Sequence, residues 1–155
     1  MTLVDVLDAT LDEAVRCIGN TSCEYVASVV LGPPPEGCNM LTAYYANSQM
    51  RGGLPGCIHT IDNTIVVQLT RCCAHDAQED FDWVAEAREA ACWHRDFWQL
   101  LACLTCTIQD VLEPWVTSCD TIEIEANAPH EREGGCYSGY IYISYKTAPC
   151  CSDFA

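Results

Sequence analysis

Cations are what this chain has least of: 7 Lys and Arg stand against 22 Asp and Glu in 155 residues, a formal net charge of -15. A nucleic-acid binder displaces counterions from phosphates with clustered basic side chains, so this balance excludes tight nucleic-acid binding. An anionic membrane surface repels the chain for the same reason. Long apolar runs are also missing, and none approaches the roughly 18 residues that span a bilayer. The opening Met1-Thr2-Leu3-Val4-Asp5-Val6-Leu7-Asp8 has no basic residue ahead of its apolar positions, so no signal peptide is expected. Phosphate-binding glycine loops are absent as well. Gly52-Gly53 has no following Lys or Ser/Thr, and Gly134-Gly135-Cys136 precedes a strand rather than a helix. There is no internal repeat and no low-complexity segment.

Cysteine, in contrast, is abundant, with 13 in the chain. A disulfide scaffold is one reading. Against it stand the odd number, the lack of a secretory leader and a length that supports a core without cross-links. Most thiols are therefore expected as small buried apolar groups in a reducing cytoplasm. With 50% hydrophobic and 19% charged residues, the composition is that of one folded domain.

Periodicity sets the elements. An amphipathic helix is expected from Thr2 to Ile18, with Leu3, Leu7, Leu11, Ala14 and Ile18 on one face, Thr2 as N-cap and Gly19-Asn20 as stop. Tyr25 to Leu31 reads as a strand ending at Gly32-Pro33-Pro34-Pro35, and Asn39 to Ala46 as the next. Ser48 to Gly56, with three glycines and a proline, reads as a loop. Ile61 to Cys72 is a strand that sets Ile65, Val67 and Leu69 on one face.

From Asp76 to Glu113 no Gly or Pro occurs, which predicts a long helix closed by Pro114. Val84, Ala87, Ala91, Trp98, Leu101, Thr105, Ile108 and Leu112 form its expected inner stripe, with a break near Trp93-His94 as an option. Thr121 to Ala126 alternates with isoleucines inward and glutamates outward, and Tyr137 to Tyr145 closes the sheet. The fold class is α+β: a mostly antiparallel sheet of about five strands against an N-terminal helix and a long central helix.

Catalytic and metal motifs are weak. Cys103-Leu104-Thr105-Cys106 has the spacing of a metal or redox pair, to which Cys72-Cys73 and Cys150-Cys151 could add ligands, but it lies inside a helix rather than on a tight turn. Core packing or an incidental disulfide is the competing reading. His59, His75, His94 and His130 sit in no recognisable motif, and Cys92 and His94 are two apart and point to different helix faces. Glu123 and Glu125 share a strand face, as glycosidase carboxylates do and as any outward alternating strand does. No catalytic residue, cofactor or metal is assigned. Four tryptophans and seven tyrosines, the loop at 48–56 and the arm at 146–155 offer assembly surface, or else mobile segments.

Val29-Val30-Leu31-Gly32-Pro33-Pro34-Pro35-Glu36-Gly37-Cys38, then Arg71-Cys72, then Asp96, Cys103 and Cys106 on the helix, and finally Trp115 and Gly134-Gly135-Cys136-Tyr137-Ser138-Gly139 follow a familiar order. Over nearly its whole length the chain resembles the tail terminator and neck (head-tail completion) proteins of long-tailed actinobacteriophages. The resemblance implies a virion structural protein, assembled in the host cytoplasm, that is not an enzyme. It implies a homo-oligomeric ring, expected as a hexamer, that ends the tail tube and docks the tail tube protein to neck or connector proteins. DNA passes through it without specific binding, and no membrane is involved. Arg51, Leu54, Tyr145 and Phe154 are then candidate subunit contacts, and Asp80, Asp82, Glu86, Glu123 and Glu125 candidate lumen-facing acids. The alternatives are another head-tail connector or minor tail subunit, and a cysteine-rich metal-binding or redox protein.

Overall fold

In the computed structural model, described over residues 3–19, 25–30, 39–54, 58–72, 83–116, 122–127 and 136–147, two helices lie on one face of a mixed sheet. The first helix, α1 (Leu3–Ile18), buries Val6, Leu7, Leu11, Ala14, Cys17 and Ile18, the three- and four-residue stripe expected of it. Thr10 is buried on the same side and donates its hydroxyl to the Val6 carbonyl at 2.7 Å. Gly19, at φ +60°, ends the helix: its N–H donates to the Val15 carbonyl at 3.1 Å in the left-handed conformation that glycine adopts without strain.

Five strands follow the order β1-β2-β3-β5-β4. They are β1 (Val26–Val30), β2 (Met40–Leu54), β3 (Ile58–Cys72), β4 (Glu123–Asn127) and β5 (Cys136–Thr147). Only the β1–β2 pair is parallel; the other three pairs are antiparallel. The α+β class and the mostly antiparallel five-stranded sheet are as the sequence predicts.

Two expectations are corrected here. Ser48 to Leu54 is not a loop but the distal half of β2, paired with β3 from Ser48↔Asn63 to Arg51↔Thr60 and, after a second register shift, at Leu54↔Ile58. Lys146 and Thr147 likewise belong to β5 rather than to an arm, while 148–155 lies outside the described residues. The physical cause is at Asn63, which is 7% exposed. Its side-chain carbonyl accepts from Tyr45 and from Ser48 (2.7 Å), and its amide donates to Thr147 at 3.3 Å. One buried amide thus ties β2, β3 and β5 together just where the register shifts between Tyr45 and Asn47, and pairing resumes beyond the bulge.

The long helix α2 (Trp83–Leu112) runs without a break at Trp93-His94, and Pro114 falls in the short 3-10 turn that follows it. Its inner stripe holds Ile108 and Leu112 as expected but differs from the expected one before them. Val84 (61%) and Trp98 (59%) are exposed, as are Ala87, Ala91 and Thr105, whereas Trp93, Phe97, Leu100, Leu104, Ile108 and Leu112 are fully buried. Two stripes run along this helix at helical spacing. The one chosen stacks Trp93 on Phe97, ring centroids 5.2 Å apart, under Gly139 of β5, where a missing side chain makes room for both rings. These residues meet Leu41, Ala43, Ile65, Val67, Leu69, Ile141 and Ile143 in one core.

Helix α2 also holds α1. Gln99 Nε2 donates to the Cys17 and Ile18 carbonyls at 2.9 and 3.0 Å, satisfying the end of α1. One turn further along α2, Cys103 forms a disulfide with Cys17 across 86 residues of sequence. Cys92 is disulfide-bonded too. The expectation of mostly free thiols is thereby corrected at these positions, because close helix packing brings the Cys17 and Cys103 Cα atoms to 5.5 Å, within bridging range.

Candidate functional site: sheet edges, open face and a buried ionic link

The strand order leaves β1 and β4 as the edges of the sheet. β1 pairs with β2 only as far as Tyr44, so the outer edge of β2 from Ala46 onward has no neighbour among the described residues. The Val26 N–H donates inward to the Asn39 carbonyl at 2.8 Å. Backbone groups alternate along a strand, so those of Ala27 point outward, away from β2. Val26 is 65% exposed on this uncharged edge. The opposite edge, Glu-Ile-Glu-Ala-Asn of β4, carries two exposed carboxylates.

The sheet face away from the helices is lined by Thr42, Tyr44, Thr64, Val66, Gln68, Tyr140, Tyr142 and Ser144. Val66 is 1% exposed although neither described helix covers it; its cross-strand neighbours Tyr44 and Tyr142 flank it. At one end of this face a shallow cavity of about 330 Å³ is walled by Asn47, Gln49, Asp62, Glu123, Ser144 and Lys146. These amides, carboxylates and hydroxyls offer hydrogen bonds to a docking surface.

A hydrogen bond to a buried carboxylate ties edge strand β1 to α2. Asp96 is fully buried, and Tyr25, immediately before β1, donates its hydroxyl to Asp96 Oδ2 at 3.0 Å. Arg95 approaches Asp96 Oδ1 at 3.4 Å. Burial, reinforced by the Asp96 charge, pushes the Tyr25 hydroxyl well above the usual phenol range, with Arg71 opposing the shift.

Burial raises Tyr145 to about 12, and burial beside the Tyr140 and Tyr142 hydroxyls raises Tyr44 to about 12. A phenol whose folded pKa is raised contributes stability that is complete below its unfolded value near 10 and is lost as pH climbs toward the folded value. Stability is therefore expected to fall between about pH 10 and 12. Urea titrations at pH 9, 10 and 11 check this, with Tyr145→Phe expected to flatten the slope by at most roughly 1 kcal/mol per pH unit. An unchanged slope in that variant would remove Tyr145 from the account.

The sequence-derived contacts divide sharply. Arg51 and Leu54 lie on the free distal edge of β2, though their side chains are outside the described set. Tyr145 is only 4% exposed and belongs to the core with Ile141 and Ile143, because its parity along β5 points it at the helices; its assignment as a subunit contact is corrected. Glu123 and Glu125 stand exposed beside Ser144 and Tyr142. Glu86 is on the first turns of α2 with its side chain undescribed, and Asp80, Asp82 and Phe154 lie outside the described residues. Cys103 and Cys106 do not act as a pair: Cys103 is bonded to Cys17, and Cys106 is an exposed free thiol. Sequence reasoning missed Asn63 and the Glu13–Arg16 pair, and it met Asp96 only through family resemblance. An acid three residues from Trp93, on the same side of the helix, was the available signal.

No protein-family model matches this chain, and no curated protein is similar to it.

Proposed function

We propose that this chain is a structural assembly subunit that closes a ring at the head-tail junction of a long-tailed phage, ending the tail tube and joining it to the neck. The single observation that carries the assembly reading is the pair of unmatched sheet edges. β1 and β2 run together, β3 opposite, β5 with β1, and β4 opposite. Copies placed head to tail around an axis therefore bring β4 of one subunit antiparallel to β1 of the next, and closure of the ring pairs the outer edges of both strands. An uncharged edge meeting an acidic one avoids the like-charge contact that a β4–β4 join would create. The virion setting rests on the family resemblance. In it the exposed carboxylates of Glu123 and Glu125 face the channel, where like charge keeps DNA from adhering.

Ala27→Pro tests the join. It removes a backbone donor that points away from β2 and leaves the β1–β2 pairing alone, a position at which edge strands tolerate proline. Light scattering and negative-stain electron microscopy are expected to show wild-type rings with a central channel, six copies being the expected order, and Ala27→Pro monomers with unchanged circular dichroism. Wild-type protein that stays monomeric at all concentrations sinks the ring. Intact Ala27→Pro rings would move the join away from β1.

A further inference from the structure

The Cys17–Cys103 bridge has a carboxylate and a guanidinium against it. Glu13, one turn before Cys17 on α1, brings Oε1 to 3.9 Å from Cys17 Sγ, and the ligand atoms of Glu13, Cys17 and Cys103 all lie within 4.8 Å of one another. Arg16 bonds Glu13 and holds its Nη2 atom 3.5 Å from Cys103 Sγ and 4.0 Å from Cys17 Sγ.

We propose that the reduced chain binds a soft divalent cation of the zinc type through Glu13, Cys17 and Cys103, and that the disulfide is the oxidised form of the same site. Two thiolates and a carboxylate are a donor set that suits zinc, leaving a fourth tetrahedral position for water. Zn–S bonds of about 2.3 Å place two thiolate sulfurs roughly 3.7 Å apart, a separation that rotation of the two cysteine side chains supplies. Three ligand charges exceed the metal's two by one, and Arg16, already beside the sulfurs, balances the remainder as an outer hydrogen-bond donor.

The chemistry closes. A dithiol reductant gives two electrons and two protons to the Cys17–Cys103 bond, yielding two thiols and an oxidised, disulfide-form reductant. The metal ion then displaces both thiol protons to solvent, forming two metal–sulfur bonds. Cys106 has no part in this trio. The arrangement exchanges a metal link between α1 and α2 in a reducing compartment for a covalent link in an oxidising one.

Cobalt titration of the full chain tests the site, because thiolate–cobalt charge-transfer bands report sulfur ligation. Reduced with a phosphine, the wild-type chain is expected to take up one Co²⁺ at this site that the oxidised chain does not. With 13 cysteines present, the decisive readout is the difference between variants. Cys17→Ser and Cys103→Ser should each remove that equivalent, Cys106→Ser should leave it, and Glu13→Gln should weaken it tenfold or more with every thiol intact. Circular dichroism checks the helices of the serine variants, and Glu13→Gln carries the test if they unfold. Bands unaffected by Cys17→Ser and Cys103→Ser, or equal uptake by Glu13→Gln, would overturn the proposal.

Discussion

Gly139→Ala is expected to destabilise the protein by about 3 kcal/mol. A Cβ at this position would lie 2.6 Å from Phe97 Cδ2 and 2.8 Å from Trp93 Cζ2, inside the closest approach that carbon atoms tolerate. Neither ring has anywhere to go. Both are fully buried, Trp93 donates its indole N–H to the Leu69 carbonyl at 3.1 Å, and it also stacks against Tyr137 at 6.0 Å. Relief thus requires α2 to shift off the sheet, which disturbs the Leu100, Leu104 and Ile108 contacts further along the same helix. Urea denaturation measures the loss. The clash account makes a second, sharper demand: Phe97→Leu, itself destabilising, should recover part of the Gly139→Ala cost when the two are combined, because the smaller side chain vacates the disputed space. Strict additivity of the two changes, or a Gly139→Ala cost under about 0.5 kcal/mol, would refute it.

Position 139 also shows why part of this fold was legible in the sequence and part was not. Strands β4 and β5 and helix α1 announce themselves, because each buries one face and its alternation or stripe has a single solution. Helix α2 offers two stripes at the same spacing, one through Val84, Trp98 and Leu101 and the other through Trp93, Phe97 and Leu100. Local periodicity cannot choose between them. The choice is made by Gly139, more than forty residues downstream of Trp93, and by the Leu69 carbonyl waiting for an indole donor. The distal half of β2 failed for a related reason. Gly52 and Gly53 are strong local breakers, and the register shifts across them, but pairing with β3 past a bulge anchored by Asn63 carries the strand on to Leu54. The Cys17–Cys103 bond depends on how two helices pack, which cysteine spacing does not encode. At the sheet edges, charge and the exposed glutamates of β4 were readable. Which strands would end as edges was not, because that is a property of the strand order.

Asp96→Ala is expected to cost about 2–3 kcal/mol, the penalty for emptying a buried polar site and leaving the Tyr25 hydroxyl without its acceptor. The carboxylate is fully buried; largely exposed Arg95 lies beside it on the same helix, and Tyr25, which leads directly into β1, donates to it from a different element. Asp96→Asn keeps shape and one acceptor and should cost less, while Tyr25→Phe, which removes a single hydrogen bond, should cost roughly 1 kcal/mol. If the Tyr25 hydroxyl acts through Asp96, the double variant Tyr25→Phe/Asp96→Ala falls short of the sum of the single variants by 0.5 kcal/mol or more. A sum that is exceeded or matched would show that the two residues act independently. The consequence reaches past stability, because β1 has five residues and one strand neighbour, and this link joins its packing on α1 in holding it in place. Hydrogen exchange at Val26 and Ser28, whose amides face β2, should therefore accelerate in Asp96→Ala well before amides of β3 do. Oligomers joined through β1 should dissociate in the same order, with Asp96→Asn intermediate and the core still folded. Loss of assembly only in step with global unfolding would mean that the link supports the fold without setting the edge.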